Sequence, residues 1–203
     1  MDFAPRLWYS VDMKLHYMKN FNMDPDSLPH GEHKPNAVQF REAADIKQIA
    51  KIASLISLAV FAAALAAALL RYEVRALFSA GAVFGFILSV AVMLPHELLH
   101  AVCFKKDVYL YTSLRQGMLF VTGTEDMSKA RFIFMSLLPN LVFGLAPFAA
   151  GMIFPSQTVL LTLGIAAMSM GAGDYYNVFN AATQMPKGAR CYMYKFNTFW
   201  YMP

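Results

Sequence analysis

Four long runs of apolar residues dominate the sequence and restrict what it can fold into. They cover residues 52–70, 76–95, 132–154 and 158–185, and only the last contains a charged residue, Asp174. A transmembrane helix needs about 20 consecutive, mostly apolar residues, so each run is long enough to cross a bilayer. The sequence therefore predicts an all-α polytopic membrane protein built on a bundle of four transmembrane helices.

The composition agrees with a membrane protein. Hydrophobic residues make up 58% of the chain and charged residues only 15%, whereas about a quarter of the residues in a typical soluble domain are charged. The net charge of +4 need not indicate nucleic acid, because basic cytoplasmic loops produce the same excess. We expect a lipid bilayer and no nucleic acid as partners, and the sequence leaves the oligomeric state unknown.

Basic residues predict the orientation. They are concentrated before the first run, between the second and third runs, and in the tail. By contrast, residues 71–75 hold only Arg71 and Arg75, and residues 155–157 hold none. Loops rich in lysine and arginine usually stay in the cytoplasm. The sequence therefore predicts an integral, multi-pass protein with both termini in the cytoplasm.

We expect three parts along the chain. They are a cytoplasmic N-terminal extension (1–48), a four-span membrane domain (49–186) with a cytoplasmic loop at about 105–131, and a cytoplasmic C-terminal tail (187–203). Within that loop, residues 108–112 and 118–122 are rich in β-branched and aromatic side chains. They predict a small cytoplasmic β-hairpin with its turn at residues 115–117, and residues 191–201 predict a further strand.

The second apolar run leads directly into the pentapeptide His96-Glu97-Leu98-Leu99-His100, which fits the pattern H-E-x-x-H, and apolar residues continue after it to Phe104. Residues four apart lie on one face of a helix, so His96 and His100 can bind the same Zn²⁺ ion. Glu97 can then act as general base on a metal-bound water. Ionisable residues are costly in lipid and usually mark a functional site, which favours this interpretation.

A catalytic zinc usually has three protein ligands, and the third is expected from a later helix. After Asp126 the chain has a single acidic residue, Asp174 in the fourth run. A lone carboxylate in an apolar run needs a partner, which zinc would supply. Cys103 is the competing candidate, because it lies three residues after His100 and seven after His96, on the same helix face.

Two asparagines are further candidates for the site. Asn140 follows Pro139 in the third run, where its amide can satisfy backbone groups that the proline leaves free. Alternatively, Asn140 stabilises an oxyanion during catalysis. Asn177 lies one turn beyond Asp174, where it can either orient the metal ligands or join two helices by a hydrogen bond.

The zinc-binding pattern in one apolar run, with Asp174 in a later one, resembles the site-2 protease class of intramembrane zinc proteases. More closely, the chain resembles a bacterial family of small membrane zincin peptidases, from about Leu28 onward. The likeness includes residues 37–40 (AVQF), the H-E-x-x-H helix and residues 173–177 (GDYYN). In site-2 proteases the later aspartate lies in an L-D-G motif, whereas here it lies between glycine and tyrosine. The resemblance implies peptide-bond hydrolysis, a zinc cofactor and a bacterial cytoplasmic membrane.

These features predict a membrane-embedded zinc metalloendopeptidase whose substrates are membrane proteins or peptides in or near the bilayer. The alternative is a non-catalytic membrane protein with a structural or regulatory zinc site. Such a site is closed by four protein ligands, and Cys103 would be the fourth. A metal transporter is a third possibility, but the apolar runs offer few acidic residues or histidines to form a path.

Overall fold

The computed structural model describes residues 13–43, 45–113 and 117–203. The helices are α1 (Ile46–Leu69), α2 (Ala80–Ala91), α3 (Met93–Ala101), α4 (Lys129–Pro139), α5 (Ala146–Ile153), α6 (Thr158–Met170) and α7 (Ala172–Gln184). The strands are β1 (Leu15–Asn20), β2 (Val38–Gln39), β3 (Val108–Ser113), β4 (Met118–Gly123), β5 (Met127–Ser128), β6 (Arg190–Tyr194) and β7 (Asn197–Tyr201). A π-helical segment, Asn140–Leu145, joins α4 to α5.

The fold is mixed α/β, so the prediction of an all-α bundle of four transmembrane helices is wrong. Within the described ranges, seven strands form two sheets. Two described helical segments, Lys47–Leu69 and Lys129–Ile153, are long and apolar enough to cross a membrane. A third would be added only if α2 and α3, which are bent by 41° at their junction, formed one broken span.

Proline explains why the second apolar run is not one straight helix. Pro95 has no backbone N–H to donate to the carbonyl of Ala91, and its ring clashes with that carbonyl in a continuous helix. Accordingly α2 ends at Ala91, and α3 begins at Met93 in a new direction. The short helix α3 carries the H-E-x-x-H residues.

The fourth apolar run is also divided. Helix α6 has 13 residues, fewer than the roughly 20 needed to cross a bilayer, and Gly171 separates it from α7. A Cβ atom on Gly171 would collide with the carboxamide oxygen of Asn140. The glycine is therefore required by the close approach of another side chain, and α7 begins immediately after it with Asp174 in its first turn.

The first sheet has the strand order β1-β3-β4. Strands β3 and β4 pair antiparallel with Leu110 opposite Val121, so the two strands of the expected hairpin are confirmed. Residues 115 and 116 of its expected turn lie outside the described residues. Strand β1, from the N-terminal extension, adds to β3 in parallel. Consequently β4 forms one edge of this sheet, and that edge faces α3.

The second sheet has the antiparallel order β2-β7-β6-β5. The tail forms the hairpin β6–β7 instead of a single strand, and β2 from the N-terminal extension pairs with β7. A shared apolar core lies between this sheet, β3 and helices α3, α4 and α7. Its members include Phe40, Ala101, Phe104, Val108, Met127, Phe132, Met135, Ala181, Met185 and Cys191.

Helix α6 lies at the centre of the helical layer and packs against α1, α2 and α5. Its approach to α2 is close: the hydroxyl of Thr162 donates to the carbonyl of Ala82 over 2.8 Å. A Cβ atom on Gly85 would collide with the Thr162 hydroxyl and with the carbonyl of Val159. The contact of α2 with α6 therefore depends on the missing side chain at position 85.

Replacing Gly85 with alanine should destabilise the protein by about 1–3 kcal/mol, because the added methyl group forces α2 and α6 apart. The measurement is thermal unfolding of the detergent-solubilised full chain. Gly173→Ala is the matched control, since a Cβ there meets no heavy atom within 4 Å and alanine favours the helix. An equal loss of stability in both variants would contradict this account of the packing.

Candidate metal centre

Three side chains from two distant helices meet near the start of α7. His96 Nε2 lies 3.1 Å from Asp174 Oδ2, and His100 Nε2 lies 3.2 Å from Asp174 Oδ1. The side chains of His96, His100 and Asp174 are 15%, 9% and 13% exposed, respectively. The structure thus brings together the three expected ligands in a largely buried position.

A hydrogen bond made by the other ring nitrogen of His100, Nδ1, determines which ring atom carries the hydrogen. Nδ1 of His100 lies 2.9 Å from the carbonyl oxygen of Met135 on α4. A carbonyl can only accept, so Nδ1 donates, and the neutral ring presents a bare lone pair at Nε2. That lone pair faces Asp174 Oδ1, which is also an acceptor. Two acceptors in this arrangement need a cation or an extra proton between them.

The donor set and its spacing fit zinc. Imidazole nitrogens and a carboxylate oxygen are the usual ligands of catalytic zinc, at about 2.0–2.2 Å. In tetrahedral geometry, bonds of this length separate two ligand atoms by roughly 3.3–3.6 Å. The two nitrogen–oxygen distances, 3.1 Å to Oδ2 and 3.2 Å to Oδ1 of Asp174, are slightly shorter. The hydrogen bond from His100 to a backbone carbonyl is also typical, because it fixes the ring that binds the metal.

Asn140 also contacts the carboxylate of Asp174. Its amide nitrogen donates to Asp174 Oδ2 over 2.7 Å and to the carbonyl of Ser136 over 3.2 Å. Both amide hydrogens are therefore engaged, and none is left for an oxyanion. Asn140 is the first residue of the π-helical segment, which directly follows Pro139. Such segments are common at functional sites.

Glu97 lies beside the two histidines but makes a different contact. Each of His96, Glu97 and His100 offers a potential ligand atom, and these atoms lie within 4.8 Å of one another. One carboxylate oxygen of Glu97 accepts a hydrogen bond from the backbone N–H of Val121 on β4, over 3.1 Å. The edge of the first sheet therefore holds one oxygen of this side chain in place.

Two other candidates are not part of this arrangement. In the described part of the chain, no hydrogen bond joins Asn177 to His96, His100 or Asp174. Cys103 lies just after α3, and its thiol donates back to the carbonyl of Leu99 in that helix over 3.4 Å. The thiol therefore does not join the cluster of potential ligand atoms.

Two contributors, Met135 and Val121, could not be recognised in the sequence, because both act through the backbone. A metal-binding histidine is expected to donate its second N–H to some acceptor, so a partner for His100 could be anticipated. Which carbonyl or amide fills these roles depends on tertiary packing alone, and no residue type signals it.

Zinc content should depend on the buried cluster formed by His96, His100 and Asp174. We expect purified wild-type protein to contain about one zinc per chain, and His96→Ala and Asp174→Ala to lose most of it, because each removes one of three ligands. Metal analysis by mass spectrometry measures this. His30→Ala is the control, since that ring contacts Leu28 and Tyr194 instead. Full zinc content in Asp174→Ala would remove Asp174 from the ligand set.

Comparison with known proteins adds a family. The sequence model of a family described as "Putative zincin peptidase" matches residues 89–190, half of the chain. The matched segment runs from the end of α2 through α3, the β3–β4 hairpin and α4 to α7, so it contains every residue of the buried cluster. No curated protein and no solved structure matches the chain. The chain therefore belongs to this zincin peptidase family, whose description implies zinc and the hydrolysis of peptide bonds.

Proposed function

We propose that the protein is a membrane-embedded zinc metalloendopeptidase, similar to site-2 proteases, that cleaves membrane-associated proteins in or near the bilayer. The observation that carries the proposal is the convergence of two imidazoles from α3 and one carboxylate from α7, with Glu97 alongside. Membership of the zincin peptidase family supports the reaction type.

His96, His100 and Asp174 would hold the metal. Three protein ligands leave a position open, which is the arrangement of catalytic zinc sites. Zinc bound there supplies Lewis-acid polarisation of the scissile carbonyl and makes water acidic enough to lose a proton near neutral pH. Asn140 is a positioning residue in this scheme, because it donates to Asp174 and has no N–H left for the substrate.

Glu97 would move the proton. Its carboxylate takes a proton from the attacking water while the water oxygen bonds to the peptide carbonyl carbon. The same carboxyl group then gives that proton to the departing nitrogen as the carbon–nitrogen bond breaks. The hydrogen bond from Val121 N–H holds one Glu97 oxygen in place, and the other oxygen would take the proton.

The outer edge of β4 offers a place for an extended substrate. Because the N–H of Val121 points away from β3, its pair with Leu110 is of the kind without hydrogen bonds, and Leu119 has the same orientation. Backbone groups of Leu119 therefore face outward beside Glu97. A peptide added at this edge would gain main-chain hydrogen bonds without sequence requirements, and peptide cleavage requires an extended segment.

The surroundings of the site suit a membrane-associated substrate. Two helical segments are long and apolar enough to cross a bilayer, and lysines lie near the start of both, at positions 47, 51 and 129. We place these ends at the cytoplasmic side for that reason. An open groove of about 550 Å³ lies between α1 and α6. Met170 lines this groove and also lines a second, smaller cavity next to Glu97.

A structural zinc site is the rival proposal, and it needs a fourth protein ligand. Cys103 lies two residues after α3, and its thiol donates a hydrogen bond to the carbonyl of Leu99 in that helix. Absorption spectra of cobalt-substituted protein distinguish the two proposals. A thiolate-to-cobalt band would favour the structural site, and its absence favours the open, catalytic one.

Glu97→Gln should reduce peptide hydrolysis by about 10²–10⁴-fold, because the amide cannot take a proton from water. Zinc content should stay unchanged, since Glu97 is not one of the three ligands. The assay uses purified protein in liposomes with a panel of peptides and membrane proteins. Glu73→Gln is the control, because that carboxylate is exposed and pairs with Arg75. Activity that survives in the Glu97 variant would reject the mechanism.

Asn140→Ala should weaken zinc binding by about 10–100-fold, the usual effect of losing a side chain that orders a metal ligand. Competition with a chelator measures the affinity. Asn177→Ala is a matched control, since that amide has no hydrogen bond to the ligands in the described structure, and it should bind zinc like wild type. Equal affinity in Asn140→Ala and wild type would assign Asn140 a purely structural role.

A further inference from the structure

A cavity of about 220 Å³ opens beside Glu97. It lies between the α2–α3 junction, the start of β4 and the end of α6. Its lining includes Val92, Met93, Glu97, Leu119, Ala167 and Met170. The cavity therefore adjoins both the general base and the strand edge at which a peptide would bind.

Most polar side-chain atoms in the described lining have partners elsewhere, and the second carboxylate oxygen of Glu97 is the exception. The hydroxyl of Ser89 donates to the carbonyl of Phe86 over 2.7 Å. His96 Nε2 faces Asp174, and one oxygen of Glu97 accepts from Val121. The remaining side chains are those of valine, leucine, alanine and three methionines. The walls thus suit an apolar occupant, because a polar one would find few free hydrogen-bond partners.

The volume indicates the size of that occupant. An apolar cavity of about 150 Å³ holds a benzene molecule. A cavity of about 220 Å³ has room for one leucine, methionine or phenylalanine side chain. Methionines in the wall can adjust to the shape of the guest, whereas Ala167, which is 4% exposed on α6, provides a fixed small surface.

We propose that this cavity is the subsite for one medium-sized apolar side chain of the substrate, next to the scissile bond, and that Ala167 sets its depth. The inference rests on the proposed peptidase function and adds a substrate class to it, namely extended segments with leucine, methionine or phenylalanine beside the cleaved bond. A larger residue at position 167 would fill the space that the substrate side chain needs.

The test measures binding and does not depend on turnover. The probes are N-acetyl amino acid hydroxamates of glycine, alanine, leucine and lysine, titrated by calorimetry into the zinc-loaded full chain in detergent. A hydroxamate binds zinc, so the four probes differ only in the side chain offered to the cavity. We expect the leucine probe to bind at least about 10-fold more tightly than the glycine probe, as for a filled apolar pocket, and the lysine probe to gain nothing.

Ala167→Leu should remove most of the leucine advantage and leave the glycine probe within about twofold of wild type. Ala62→Leu adds the same side chain at an exposed position on α1 and should behave like wild type. Equal affinity for leucine and glycine probes in wild type would overturn the subsite. So would an equal loss for all probes in Ala167→Leu, or no binding of any probe.

The outcome is separable from that of the proposed function. A protein that binds the leucine probe selectively but hydrolyses no peptide in the liposome assay keeps the apolar pocket beside the metal but loses the peptidase proposal, and with it the role of the pocket as a substrate subsite. A protein that hydrolyses peptides without regard to the apolar residue beside the cleaved bond keeps the peptidase proposal and loses the subsite.

Discussion

The carboxylate of Asp174 lies between two imidazole rings, and much of the arrangement around it serves that contact. The ring of His100 has its hydrogen on the nitrogen that donates to Met135, so its other nitrogen and the carboxylate oxygen face each other as acceptors. Asn140 donates to the same carboxylate but cannot neutralise it. A divalent cation would satisfy the two imidazoles and the carboxylate at once, and the spacing observed is slightly shorter than that between two ligands of one zinc ion.

Three departures from regular helix geometry bring these groups together. Pro95 ends α2 and lets α3 turn its histidines inward. The π-helical segment after Pro139 begins with Asn140, which reaches Asp174. Gly171 provides the space that the Asn140 side chain occupies and separates α6 from α7. Each irregularity lies next to a residue of the cluster, which is where strained or interrupted backbone is expected in a functional protein.

The local chemistry of the site could be predicted from the sequence, whereas the path of the backbone could not. The spacing of His96 and His100, and the isolation of Asp174 as the only late acidic residue, are properties of the sequence itself. The structure places these side chains together, although their binding of zinc remains a proposal. Hydropathy, by contrast, does not distinguish a straight span from one broken at Pro95 or Gly171. The sequence predicted the β3–β4 hairpin and a strand in the tail, but not the two complete sheets, because β1 and β2 pair with strands distant in sequence and have weak local patterns.

X-ray absorption spectroscopy at the zinc edge of the purified, zinc-loaded protein tests the central claim most directly. The account predicts only nitrogen and oxygen ligands at about 2.0–2.2 Å, with the scattering pattern of two imidazoles and no sulfur at about 2.3 Å. A sulfur ligand would indicate that Cys103 closes the site, and a spectrum without imidazole scattering would show that His96 and His100 do not hold the metal. Either result would contradict an open zinc centre formed by His96, His100 and Asp174.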